Sequence, residues 1–130
     1  MGSLTILGFG NKLLDFLEFL EKVSGMNGIA ELKTGLRLVK NTGQINIIKQ
    51  IMTHFMIKVQ DHSDEIFNCN EDYFFQLNIA ELLGSDMHIE SVLKESEEFK
   101  KRFKEFTPEN KQKVWGYLQD LMKIGAKYFS

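Results

Sequence analysis

At 130 residues, with 43% hydrophobic and 26% charged side chains, the chain fits one ordinary globular domain and lies away from the disorder signature. Its formal charge of −2 offers no global attraction to nucleic acid or anionic lipid. One proline, ten glycines grouped between apolar segments and a lone Cys69 exclude a disulfide scaffold and a cysteine-rich zinc site, and point to an all-α fold in a reducing, intracellular setting.

Residues 1–10 are apolar, but they lack a basic leader and are too short to span a bilayer. Ile6 stands where a myristoylation signal needs Ser or Thr, so no lipid anchor is expected. The segment is expected to be a flexible lead-in. From residue 11 to 23, Leu13, Phe16, Leu17, Leu20 and Val23 recur at three- and four-residue steps, which predicts a helix capped by Asn11 and stopped by Gly25 and Gly28.

A second run, residues 29–39, places Ile29, Leu32, Leu36 and Val39 on one face, and Asn41, Thr42 and Gly43 break it. Residues 44–59 put Ile45, Ile48, Met52, Phe55 and Val59 on one stripe, and their length favours a central helix over a strand. Residues 60–64 read as a polar loop. Asn70, followed by Glu71 and Asp72, reads as a capped start of a helix reaching Gly84, with a short strand at Tyr73, Phe74 and Phe75 as the competing reading. A charged helix at about residues 88–105 follows, its narrow apolar stripe made by Val92, Leu93, Phe99, Phe103 and Phe106.

The closing segment carries the most consistent signals. Thr107 is a good N-cap, Pro108 suits the first helical position, and Glu109 puts negative charge in the first turn. At about 100° per residue, Val114, Trp115, Tyr117, Leu118, Leu121, Met122, Ile124, Gly125, Tyr128 and Phe129 occupy roughly half the circumference. This helix is expected to be the element against which the rest is laid, paired antiparallel with the helix before it. The whole reads as a single compact bundle of about six helices over residues 1–130.

No set of residues forms a recognisable catalytic, cofactor or metal site. His62 lies near Asp61, Asp64 and Cys69, yet no second His or Cys stands at ligand spacing, so it reads as a solvated loop histidine. Gly8 and Gly10 begin a dinucleotide-loop pattern that Leu13 breaks. Cys69 is flanked by Asn68 and Asn70 rather than cations and reads as a structural, half-buried thiol. Acid pairs such as Asp61/Asp64, Glu71/Asp72 and Glu97/Glu98 suit solvated faces and helix starts.

Two surface features remain. Lys100, Lys101, Arg102, Lys104, Lys111 and Lys113 form a basic strip able to meet phosphates, diluted by Glu95, Glu97, Glu98, Glu105 and Glu109. The chain also holds eleven Phe, three Tyr and one Trp, more than one small core hides, which leaves Phe9, Phe67, Phe74, Phe75 and Phe129 as candidates for contact with a partner.

The run Phe99, Lys100, Lys101, Arg102 and Phe103, followed by Thr107, Pro108, Glu109, Asn110 and Lys111 and then by Val114, Trp115, Tyr117, Leu118 and Leu121, resembles the closing segment of small helical proteins encoded by nucleocytoplasmic large DNA viruses. Asn70, Glu71, Asp72, Tyr73 and Phe74 are similar to the aromatic segment that often precedes it. The resemblance covers about residues 70 to 122 and places nothing in residues 1–65. Gly116 departs from the bulkier or charged residue expected at its position, on the polar face of the helix.

That resemblance implies a viral origin and a setting in the virion or the host-cytoplasmic viral factory, and it implies no reaction. The expectation is a non-enzymatic protein, without cofactor or membrane association, acting through protein–protein contacts in virion structure or assembly. A regulatory binder of a host factor and a nucleic-acid accessory protein using the basic strip are the alternatives. The partner and the oligomeric state are left open by the sequence.

Overall fold

The computed structural model describes residues 2–25, 27–69 and 101–129. Among them are five α-helices: α1 (Gly2–Ser24), α2 (Asn27–Asn41), α3 (Ile45–Val59), α4 (Ser63–Phe67) and α5 (Pro108–Phe129). A 3₁₀ turn (Gln60–His62) joins α3 to α4, and the described residues contain no strand, as expected of an all-α chain. The helices expected at residues 70–84 and 88–105 lie outside the described residues except for 101–105, of which 101–104 are helical and Glu105 is already in the turn before α5. The antiparallel pair expected between residues 88–105 and α5 lies largely outside them too.

The first helix starts at Gly2, not at Asn11, so residues 2–10 are no flexible lead-in. The reason is the extra reach of its apolar stripe: Ile6 and Phe9 continue the spacing of Leu13, Phe16, Leu17 and Leu20, and all six are buried. Phe9 meets Phe55 of α3 edge to face, with ring centroids 5.6 Å apart. Gly10 allows this approach, because a Cβ there would stand 3.3 Å from a methyl of Ile48. Asn11 is an exposed residue inside the helix rather than its cap.

Glycines end the first two helices in the left-handed conformation that favours them. Gly25 (φ +67°) donates its N–H to the Glu21 carbonyl at 2.8 Å, and Gly43 (φ +72°) donates to Lys40 at 3.1 Å. The residues expected to form a polar loop at 60–64 instead form the 3₁₀ turn and the start of α4. Asp64 and Glu65 favour the N-terminus of this short helix, and Ile66 anchors it in the core.

One core cluster joins all five helices with Phe103. Its centre is α1, which packs on α2, α3 and α5; the interface with α5 is the most extensive. The final helix is therefore one wall of the core rather than its axis. It does bury what its pattern predicts: Val114, Trp115, Leu118, Leu121, Met122 and Gly125, with Trp115 only 2% exposed. Each such large side chain contributes roughly 1.5–3 kcal/mol when fully buried. The predicted N-cap is present, since Asn110 donates its backbone N–H to Thr107 Oγ1 at 3.1 Å.

Candidate interaction surface

The α1–α5 seam accounts for many of the polar and aromatic side chains at its rim. Lys12 Nζ lies 3.3 Å from Asp120 and 5.5 Å from the Tyr117 ring centre, and Tyr117 stacks on Phe16 with centroids 5.3 Å apart. Phe19 tilts against the same Tyr117 ring, and Lys113 stands 5.9 Å over Phe19. The sequence positions descend along α5 as they rise along α1, so the two helices run antiparallel. Aromatic pairs of this kind contribute about 0.5–1.5 kcal/mol beyond their burial.

The basic strip is broken up by this packing. Arg102 reaches across to donate to the carbonyl of Ser24, at the last residue of α1, while the Ser24 hydroxyl donates to Leu20. Lys111 stands 5.6 Å over the buried ring of Phe103. Lys101, Lys104 and Lys113 are exposed, and Lys100 lies outside the described residues. Arg102, Lys111 and Lys113 thus hold elements of this protein together, and the five described cations do not form one row facing outward.

The aromatic candidates also separate. Phe9 is fully buried and is corrected from a surface contact to a core residue, because its helix begins earlier than its glycines indicate. Phe67, at the end of α4, is 47% exposed, and Phe129, at the end of α5, is 50% exposed with Tyr128 edge-on to it at 4.9 Å. Phe74 and Phe75 lie outside the described residues.

Reactive groups are dispersed. His62 Nδ1 is 3.9 Å from Glu65 on an exposed turn, His54 is on α3, and His88 lies outside the described residues. Gly8 and Gly10 are helical, not part of a loop. Cys69 is half-buried in a left-handed conformation (φ 56°), with Gln119 Nε2 3.8 Å from its sulfur and 3.1 Å from the Ile66 carbonyl, a bond that ties α4 to α5. Among the described residues no three His, Cys, Asp or Glu side chains converge as metal ligands, and no helix is long and apolar enough to cross a membrane.

A further surface emerges on α3. Its inner side buries Ile48, Met52, Phe55 and Val59, and its outer side lines an open concavity of about 490 Å³ formed by Asn46, Lys49, Gln50, Thr53, His54 and Ile57. Ile57 is 58% exposed there. Thr53 donates its hydroxyl to the Lys49 carbonyl at 2.8 Å. The aromatic count drew attention away from this face, which is aliphatic and amide-rich. The signal that finds it is charge: residues 32–60 contain no Asp or Glu. Comparison with protein-family models, with curated proteins and with solved structures finds no match to this chain, so its reading rests on its own residues.

Proposed function

We propose that this chain is a non-enzymatic protein that works by protein–protein contact, in virion structure or assembly of a large DNA virus. The observation that supports contact is the exposure of bulky apolar side chains outside the shared core: Phe67 at the end of α4, Phe129 at the end of α5 and Ile57 on α3. Solvent exposure of such groups is costly, and covering them with a partner removes that cost. The viral setting rests on the resemblance of residues 70 to 122 alone. The shared core supports reading the whole chain as one compact helical bundle.

The test is affinity purification from infected cells and from purified particles. Stoichiometric recovery in particles, with co-purifying viral proteins lost on Phe67→Ser and Phe129→Ser while the helical circular dichroism is kept, is the expected result. Recovery only from cells, bound to a host protein, replaces assembly with host regulation. A chain that co-purifies with nothing in either preparation sinks the reading.

A further inference from the structure

Of the chain's six methionines, Met52 and Met56 lie on α3 and Met122 lies on α5. Met52 is wholly buried and Met122 nearly so, whereas Met56 is half-buried and packs on the core from its edge. Helical spacing accounts for the difference. Met56 stands four residues after the buried Met52 and three before the buried Val59, yet it also follows Thr53 by three and Lys49 by seven, and these two line the open concavity. Its thioether is therefore placed where the core meets solvent.

The other side of Met56 meets α5. Its sulfur fills the space that a Cβ on Gly125 would take, so α5 crosses α3 by bringing bare backbone against a thioether. One end of the same crossing carries Lys49, with its ammonium 5.8 Å from the Tyr128 ring centre. A thioether is apolar and flexible enough to fill such a notch. A sulfoxide is polar and chiral at sulfur, and its oxygen needs a hydrogen-bond donor or water. Gly125 brings no side chain that could supply one. The oxidised side chain hydrates its oxygen by turning toward the concavity, and a gap then opens beside Gly125.

We propose that Met56 is an oxidation site built into the α3–α5 crossing, where a peroxide converts its thioether to a sulfoxide and thereby loosens the contact between the two helices. A lone pair on sulfur attacks one peroxide oxygen; the S–O bond forms as the O–O bond breaks, and the second oxygen leaves as water after taking up a proton. Sulfur loses two electrons and the peroxide gains them. Methionine sulfoxide reductases reverse the step, so the device is resettable.

The test treats the full chain with hydrogen peroxide and follows each methionine by peptide mapping, together with urea unfolding. Met56 should be oxidised about tenfold or more ahead of Met52 and Met122, because access sets the order among thioethers of equal chemistry. The unfolding equilibrium constant of the Met56 sulfoxide should rise about tenfold or more, with helical circular dichroism kept in the absence of urea. Cys69 also meets the oxidant, so Met56→Leu, which conserves volume, separates the two. That variant should keep its urea midpoint after peroxide. Treatment of the oxidised natural chain with both reductases should restore its midpoint. Met52 or Met122 reacting as fast as Met56 overturns the assignment, and mapping of the natural chain decides this whatever Met56→Leu does. A Met56 sulfoxide whose unfolding is unchanged, or a Met56→Leu chain that loses as much stability to peroxide as the natural one, overturns the coupling to the crossing.

Discussion

The α1–α5 seam and the outer surface of α2–α3 use charge in opposite ways. Along the seam, Lys12 has Asp120 and Tyr117, Lys113 has Phe19, and Arg102 has the Ser24 carbonyl. On α2–α3, Arg37, Lys40 and Lys58 stand without a carboxylate among the described residues. Seam charges are matched inside the molecule and serve stability. Those on α2–α3 repel one another slightly and contribute little to folding. The contrast yields a sequence of substitutions whose costs should fall as one moves from the seam to the outer surface.

The largest cost belongs to Trp115 of α5, almost wholly buried in the core. Trp115→Ala removes its burial and leaves a cavity, and should lower the unfolding free energy by about 3–5 kcal/mol, read by urea denaturation. A loss below about 1 kcal/mol would place the indole outside the core and undo the comparison at its strong end.

How far the sequence foretells each region follows from the same physics. Around Trp115, cap, proline, first-turn acid and apolar period agree, so α5 is legible to its ends. The start of α1 is not, because Gly8 and Gly10 read as loop formers in isolation; only the packing of Ile48 against Gly10 shows why a small residue belongs in that helix. α4 hides for another reason: five residues are too few for a period to register. The basic strip appears continuous in sequence, whereas Arg102 is turned onto the α1 terminus by a contact distant along the chain and Lys111 onto the Phe103 ring across the turn before α5. The α3 face was legible as a carboxylate-free stretch, a negative signal that motif patterns do not register.

The next cost tests closeness of packing rather than burial. A Cβ on Gly125 would lie 2.4 Å from the Met56 sulfur, where α5 crosses α3. Gly125→Leu should therefore destabilise by about 1–3 kcal/mol despite its better helix propensity. Pairing it with Met56→Ala should recover part of that loss, and a double-mutant cycle measures how much. Strict additivity would mean that the two helices do not touch there.

Arg102→Gln comes third. It removes a charge-assisted bond to the end of α1, and about 1 kcal/mol should be lost, discounted for the exposure of the guanidinium. Hydrogen exchange should quicken first at the amides of the last α1 turn. Exchange that quickens elsewhere while that turn is unchanged would detach Arg102 from its assigned role.

The smallest effect carries the opposite sign and separates the two surfaces most sharply. Arg37 has Lys33 four residues before it and Lys40 three residues after it, so like charges adjoin on α2. Arg37→Glu replaces both repulsions with attractions and should raise the unfolding free energy by about 0.2–0.5 kcal/mol, a gain that fades in high salt. Lys12→Glu, the matching reversal on the seam, sets a carboxylate against Asp120 and should cost up to about 1 kcal/mol, since that pair is partly solvated. A gain of that sign would show that the positive charge of Arg37 does not serve the stability of α2. If Arg37→Glu instead destabilises as Lys12→Glu does, then Arg37 serves the fold and the distinction between seam and outer surface disappears.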